Sequence, residues 1–235
     1  LLEWTNDRKI SLSLPSLRVD SFTKELMDKI STVRTGTLTF APEAGTQRLR
    51  DVINKNVMEA DLFRACRVAF EGGKSQVKLY FMQGLPTETD EDLCGIAKLA
   101  RDVIEEYYAT PSRPRKAPQV TISAACFIPK PFTAFQWEPQ CAFDELLRKQ
   151  QYLKEQITDR KIRYNYHDAS VSRIEAVFAR GDRRLGKAIS EAHRRGMKLD
   201  SWEEFFSYDK WISVFESCGI DPDFYANRER AEDEI

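Results

Sequence analysis

The sequence has few of the residues from which disulfide frameworks and metal sites are built. It contains two histidines and five scattered cysteines, namely Cys66, Cys94, Cys126, Cys141 and Cys218. No two of these cysteines form a C-x-x-C pair, and an odd, dispersed set of thiols is typical of a reducing compartment. We therefore expect free, mostly buried thiols, with no zinc or cluster-binding site in this stretch of chain.

Long apolar runs and an excess of either charge are also missing. No apolar stretch approaches the ~20 residues that a membrane span needs, and the first residues lack the pattern of a signal peptide. The 36 Lys and Arg residues are balanced by 37 Asp and Glu residues. This balance gives no sign of wholesale binding to nucleic acid or anionic lipid. We expect a soluble, cytoplasmic protein that makes no membrane contact.

Apolar residues recur with spacings that alternate between strand and helix along most of the chain. The predicted strands are Lys9–Leu14, Gly36–Phe40, Gln76–Met82, Val120–Phe127 and a short one at Lys161–Tyr166. Helices are predicted between them, the main ones being Ser21–Ile30, Glu59–Phe70, a helix that runs from the Thr89 capping box to Tyr108, and Pro139–Ile157. After residue 169 only helices are predicted, at Ala169–Ala179, Asp182–Arg195, Trp202–Phe206 and Trp211–Ser217.

This alternation predicts an α/β fold with parallel strands joined by right-handed crossovers. Ligands of such sheets and barrels bind at the carboxyl ends of the strands. Four segments follow predicted strands and can face one cavity, namely Pro15–Arg18, Ala41–Gly45, Gln83–Pro86 and Ile128–Pro131.

Three of these strands carry motifs that resemble a known superfamily. Leu38–Leu49 with Asn54 and Lys55, Val77–Leu93, and Ile122–Trp137 are similar, in this order, to strands four, five and six of a radical SAM barrel. The similarity is to the branch that contains methylthiotransferases and the catalytic Elongator subunit. It implies that the chain carries about strands three to six of a partial (β/α)6 TIM-like barrel, followed by a helical extension.

The tail resembles that of an uncharacterised radical SAM family with a cobalamin-binding-type domain before the barrel. The segments that carry this resemblance are Tyr166–Asp168, Ala179–Arg184, Asp200–Trp202 and Gly219–Pro222. The resemblance implies an enzyme that reductively cleaves S-adenosylmethionine at a [4Fe–4S] cluster to start radical chemistry on an unknown substrate, with cobalamin as a further cofactor to be tested. The C-x-x-x-C-x-x-C cluster loop is absent. We therefore expect a C-terminal fragment, inactive alone, that pairs with a missing N-terminal half.

We expect two parts, with the barrel strands in residues 1–160 and a short strand plus helices in 161–235. A truncated parallel sheet exposes an unpaired edge, so self-association is a further expectation.

The candidate cofactor-binding residues lie at or near the strand ends. Glu43 is placed to accept hydrogen bonds from a ribose or an ammonium group, or else to stabilise a helix start. Arg18 is placed to grip a carboxylate, or to form a surface salt bridge. Lys78 lies inside an apolar strand and needs a partner, for which Glu43 is the candidate. The remaining candidates, which would surround the adenine, are Gln83, Gly84, Phe127, Ile128 and Pro129. No catalytic residue is assigned.

Two local features have competing explanations. His167 is either a group that titrates near neutrality or a surface residue, and Asp168 is expected to cap the following helix. A basic cluster that includes Arg180, Arg183 and Arg184 suits either RNA phosphates or a solvated helical face. Two other classes of function stay open, namely a non-catalytic scaffold that binds RNA or protein, and a TIM-barrel enzyme without redox chemistry.

Overall fold

The computed structural model of the chain describes residues 2–8, 10, 22–25, 27 and 37–230. The predicted strand Lys9–Leu14 and most of the predicted helix Ser21–Ile30 lie outside the described residues. Arg18 lies outside them as well.

The described elements alternate between strand and helix and then become wholly helical. In chain order they are α1 (Leu2–Asp7), β1 (Leu38–Glu43), α2 (Gln47–Val52), α3 (Glu59–Glu71), β2 (Gln76–Gln83), α4 (Asp90–Ala109), β3 (Gln119–Cys126), α5 (Phe143–Gln156), β4 (Ile162–Tyr166), α6 (Ala169–Arg180), α7 (Leu185–Arg194), α8 (Tyr208–Cys218) and α9 (Pro222–Ala226). The α/β class is thus confirmed.

One predicted strand end and one predicted helix were wrong. β1 continues to Glu43, although the strand was expected to end at Phe40, because a bulge between Phe40 and Glu43 accommodates the extra residues. The predicted helix Trp202–Phe206 is a series of turns, with Trp202 and Phe205 exposed. An apolar pattern without a surface to cover does not stabilise a helix.

The four strands form one parallel sheet in the order β1-β2-β3-β4. In the β1–β2 pair, Leu38 lies beside Val77 and Thr39 beside Lys78. In the β3–β4 pair, Val120 lies beside Ile162. Because neighbouring strands are also consecutive in the sequence, each crossover helix packs back on the sheet beside the strands that it connects.

One face of the sheet is packed against helices. Its side chains, which include Phe40, Leu79, Phe81 and Ile122, are almost wholly buried in one apolar cluster with residues of α3 and α4. Burial of this face supplies the main driving force for folding of the sheet.

The other face of the sheet is polar. Its residues are half-buried or exposed, and we call it the polar face: Thr39, Lys78, Tyr80, Met82, Thr121, Ser123, Arg163 and Asn165. A parallel sheet covered by apolar side chains on both faces has nearly continuous apolar strands. Here polar and apolar residues alternate instead, with Lys78, Tyr80 and Met82 on the polar face of β2.

Chain contacts divide the protein into two compact units. The first contains the sheet and comprises residues up to 83 together with 87–125 and 149–166, and the second comprises 84–86, 126–148 and the residues from 167 onward. The second unit has its own apolar cluster, in which Val177, Trp211 and Phe215 are central. The predicted boundary after residue 160 stays a prediction.

Caps at several helix ends agree with the sequence. Thr89 and Asp92 form the predicted capping box at the start of α4, and Gly72 caps the end of α3. Asp168 Oδ1 accepts hydrogen bonds from the amides of Ser170 and Val171, which confirms its predicted role as the cap of α6. Among the helices in the described part of the chain, none is long and apolar enough to cross a membrane.

Candidate functional site

Glu43 ends β1 in an unusual backbone conformation. Its φ of 68° lies in the left-handed region, which costs a residue with a side chain of order 1–3 kcal/mol and persists only where the surroundings fix it. Its side chain is 26% exposed, and Oε1 accepts a hydrogen bond from Lys55 Nζ at 3.2 Å. The bulge before Glu43 therefore presents a carboxylate at the carboxyl end of the strand, where ligands of parallel sheets bind.

The loop after Glu43 is locked onto the start of α4. A Cβ added to Gly95 would lie 2.6 Å from the carbonyl oxygen of Gly45, so the two backbones are as close as glycines allow. Thr46 caps α2 through its hydroxyl oxygen, which accepts from the Leu49 amide, and the same hydroxyl donates to Asp92 Oδ1. These contacts hold the chain that leads away from Glu43.

The buried carboxylate of Asp92 accepts several hydrogen bonds. Oδ2 accepts from Arg48 and from the amide and hydroxyl of Thr89, at 2.8 Å and 2.9 Å for the two Thr89 bonds. Burial by itself would raise the pKa of the Asp92 carboxyl, but the hydrogen bonds from Thr46, Thr89 and Arg48 outweigh it and lower the pKa. Asp92 is thus an ionised structural anchor of this loop.

Lys78 does not pair with Glu43, which corrects the expected ion pair. Its ammonium lies over the ring of Tyr80, with Nζ 5.0 Å from the ring centroid. Glu43 is instead paired with Lys55, which follows α2. Sequence reasoning missed this partner, and the available signal was the Asn54-Lys55 dipeptide after α2, because Asn54 adopts a left-handed conformation that turns the chain.

Gln83 lies at the end of β2 and is completely buried. Its Oε1 accepts a hydrogen bond from the Tyr164 hydroxyl at 3.0 Å, while Nε2 has no hydrogen-bond partner within the part of the chain that the structure describes. The alternation of β2 puts Gln83 on the face that carries Leu79 and Phe81. Glu43 and Gln83 thus lie at the carboxyl ends of neighbouring strands, whereas Lys78 lies earlier on β2 and on the opposite face of that strand from Gln83.

The other candidates belong to the second unit. Gly84 has a φ of 77°, which favours glycine, and an added Cβ would lie 2.7 Å from Leu146 Cδ2, so that side chain would have to shift. Phe127 and Pro129 are buried, and the Phe127 ring packs edge-on against Phe135 at 5.8 Å. Ile128 is half-buried against the helical cluster. Their proximity to an adenine stays a prediction.

The basic cluster of the second unit contains one buried and two exposed arginines. Arg180 is only 7% exposed, and its guanidinium donates to the carbonyl oxygens of Ala226 and Arg228. Arg184 pairs with Asp182 at 2.6 Å. Burial, and then repulsion from Arg230 and Arg228, lowers the pKa of Arg180 to about 10. Arg180 is therefore unavailable to an external phosphate, which corrects that part of the expected RNA surface; a contact through exposed Arg183 and Arg184 stays a prediction.

The remaining titratable candidates give no cluster. His167 is exposed, and all five cysteines are free thiols. Across 37–230 and the short described stretches before it, no group of three His, Cys, Asp or Glu side chains could hold a metal ion. The described residues therefore do not fit the ligand set of an iron–sulfur cluster. They do fit a polar organic ligand, because the carboxylate of Glu43 is accessible and its Oε2 receives no hydrogen bond from any described residue.

Comparison with known proteins adds a relative without an assigned activity. No protein-family model matches the chain. The chain is 34% identical over 221 residues to an uncharacterised protein of Methanocaldococcus jannaschii, a match that covers 94% of this chain and 46% of that protein. The chain thus spans about half the length of the curated relative that it matches.

Proposed function

We propose that this chain forms the later strands of the catalytic barrel of a radical SAM enzyme. In this proposal β1, β2 and β3 are strands four, five and six of a partial (β/α)6 barrel, and strand three falls at Lys9–Asp20, mostly outside the described residues. β4 begins the extension, the polar face lines the interior of the barrel, and Glu43 binds S-adenosylmethionine. The observation that carries the proposal is the strained backbone of Glu43, which holds a carboxylate at a strand end within a motif that resembles this superfamily. Strain of this kind is concentrated at ligand sites.

Glu43 has the chemistry of a ribose ligand. An ionised carboxylate only accepts hydrogen bonds, and its two oxygens suit the two hydroxyls of a ribose. Lys55 holds Oε1 at 3.2 Å, which leaves Oε2 for a hydroxyl donor. The ion pair also orients the carboxylate before the ligand arrives.

The polar face supports the proposal independently. A sheet that is buried under helices on one face and polar on the other can line a chamber from the second face. Lys78, Tyr80 and Ser123 are half-buried there, although an ordinary helix-covered face would be apolar. Polar residues inside a barrel are retained where a ligand satisfies them.

The bound cofactors would supply a reactive radical by reductive cleavage of S-adenosylmethionine at a [4Fe–4S] cluster. The ligands of the cluster are not among the described residues, so the proposal gives this chain the task of binding and orienting S-adenosylmethionine. Arg18, Gln83, Gly84 and the segment 127–129 remain candidate contacts for it. Cobalamin binding, through a domain elsewhere in the protein, is part of the same hypothesis.

The test is anaerobic reconstitution with iron and sulfide of the protein as its gene encodes it. Release of 5′-deoxyadenosine from S-adenosylmethionine under a strong reductant, together with the absorption of a reconstituted cluster, is the expected result. A protein that is folded by circular dichroism, yet takes up no cluster and releases no 5′-deoxyadenosine, would overturn the proposal. That outcome would favour the scaffold alternative.

A further inference from the structure

The eight residues of the polar face include two cationic side chains and no carboxylate, and the carboxylate at the end of β1, Glu43, is paired with Lys55. Among its residues, Lys78 and Arg163 are positively charged, and the others are hydroxyl, amide, phenol and thioether side chains. The chain as a whole is nearly neutral, with a formal net charge of −1. A face with only positive charge is therefore a local property of this sheet.

The strand register places these residues in rows across the sheet. Thr39 pairs with Lys78, and Thr121 pairs with Arg163. The Gln119 amide donates to the carbonyl oxygen of Ser75 at 2.9 Å, which pairs Gln119 with Gln76 in a parallel ladder.

Counting two residues along β2 and β3 then puts Thr121 beside Lys78. The row is thus Thr39, Lys78, Thr121 and Arg163. Since neighbouring strands lie ~4.8 Å apart, the Cα atoms of Lys78 and Arg163 are separated by about 10 Å, with a hydroxyl residue between them. Both side chains are long enough to converge on one ligand above Thr121.

Several buried or half-buried cations of the first unit have a carboxylate partner. Arg50 pairs with Glu59, Lys55 with Glu43, and Lys149 with Glu88. Neither Lys78 nor Arg163 has an ion pair with any described residue, and the half-buried ammonium of Lys78 is held over Tyr80. Arg163 is exposed, so the cost of an uncompensated charge falls on half-buried Lys78, which a bound anion would neutralise.

We propose that the polar face binds an oxyanion of the substrate, a phosphate or a carboxylate, between Lys78 and Arg163. This inference rests on the proposed function, because it makes the polar face the substrate-binding wall of the barrel. Charge complementarity selects this occupant: two cations flank hydroxyl and amide donors, with Ser123 and Asn165 in the next row. An apolar or cationic substrate would leave the half-buried charge of Lys78 uncompensated.

Isothermal titration calorimetry with inorganic pyrophosphate, inorganic phosphate and citrate tests the proposal on the whole protein. Two phosphate probes and one carboxylate probe distinguish the two classes of oxyanion. Saturable binding with a Kd below about 10 mM is expected for at least one probe, weakening as salt is added. Lys78→Met and Arg163→Met should each weaken that binding about tenfold or more, because each removes a charge-assisted contact.

Lys154→Met and Arg160→Met are the matched controls, since both side chains are exposed elsewhere in the same unit. Their affinities should stay within about twofold of the wild type. Equal losses in the controls and in the polar-face variants, or no saturable binding of any probe, would overturn the inference. Retained circular dichroism and melting temperature show that a variant has folded.

The outcome is separable from that of the proposed function. If the protein binds pyrophosphate through Lys78 and Arg163 but releases no 5′-deoxyadenosine, the anion site is supported and the radical SAM function is refuted. If the protein releases 5′-deoxyadenosine but binds none of the three anions, the radical SAM function is supported and the anion site is refuted.

Discussion

Gly45 and Gly95 pack backbone against backbone. A Cβ added to Gly45 would lie 2.8 Å from the carbonyl carbon of Gly95. A Cβ added to Gly95 would lie 2.6 Å from the carbonyl oxygen of Gly45. The pair joins the loop after Glu43 to the second turn of α4. It explains why a glycine, which disfavours helices, stands inside α4.

Gly95→Ala should destabilise the protein by about 1–3 kcal/mol, because the added methyl group overlaps backbone atoms that cannot move aside easily. Gly186→Ala is the control: Gly186 lies in the first turn of α7, and nothing lies within 4 Å of its added Cβ. There the better helix propensity of alanine should stabilise by about 0.5–1 kcal/mol. Urea denaturation measures both changes, and a stabilising Gly95→Ala would contradict the close packing.

Asp92 should make stability depend on pH in acid. Its hydrogen bonds lower its pKa in the folded protein below the ordinary 3.8, so its contribution is complete above about pH 4 and is lost as the pH falls through the lowered pKa. The difference in unfolding free energy between wild type and Asp92→Asn should therefore be constant from about pH 5 to pH 7 and shrink below about pH 4. If the difference in unfolding free energy grew as the pH fell, the lowered pKa of Asp92 would be refuted.

Lys149 and Glu88 form a buried ion pair, with Nζ 2.8 Å from Oε2 and side chains 7% and 1% exposed. Lys149→Met should cost about 3 kcal/mol, because a buried carboxylate loses its cation. Lys149→Met combined with Glu88→Gln should recover part of that cost. Lys98→Met, which breaks an exposed pair with Asp102, should cost less than about 0.5 kcal/mol. Equal costs at the two lysines would contradict the difference in burial.

Cys66 should be the slowest thiol to be alkylated. It is completely buried, and burial, then the charge of Glu106, raises the pKa of its thiol. Since the thiolate is the reactive form, native-state labelling by iodoacetamide should be at least about tenfold slower at Cys66 than at half-buried Cys218. Mass spectrometry of peptides locates the label, and in urea the two rates should converge. Equal native rates would show that α3 opens readily.

The sequence predicted the sheet well because each strand has a strong local pattern. β2, β3 and β4 were placed within one residue at each end, since polar and apolar residues alternate along them. The end of β1 was missed because the bulge before Glu43 depends on pairing with β2, which is not a local property. The helix predicted at Trp202–Phe206 does not form for a related reason, since Trp202 and Phe205 stay exposed and bury little apolar surface.

The candidate site was predictable only in part. The position of Glu43 at a strand end follows from the order of elements, but its partner Lys55 depends on how the chain turns after α2. The row that joins Lys78 to Arg163 depends on register across β2, β3 and β4. Register comes from the packing of the whole sheet and is not encoded in any one strand.

The most direct test of the account compares the KM for S-adenosylmethionine in the reconstituted protein and three variants. Glu43→Gln should raise the KM at least about tenfold, because a charged acceptor for the ribose becomes a neutral amide. Lys55→Gln should raise it less, since the carboxylate remains, and Glu105→Gln, on the exposed side of α4, should leave it unchanged. An unchanged KM in Glu43→Gln, or an equal rise in all three variants, would contradict the claim that Glu43 binds S-adenosylmethionine.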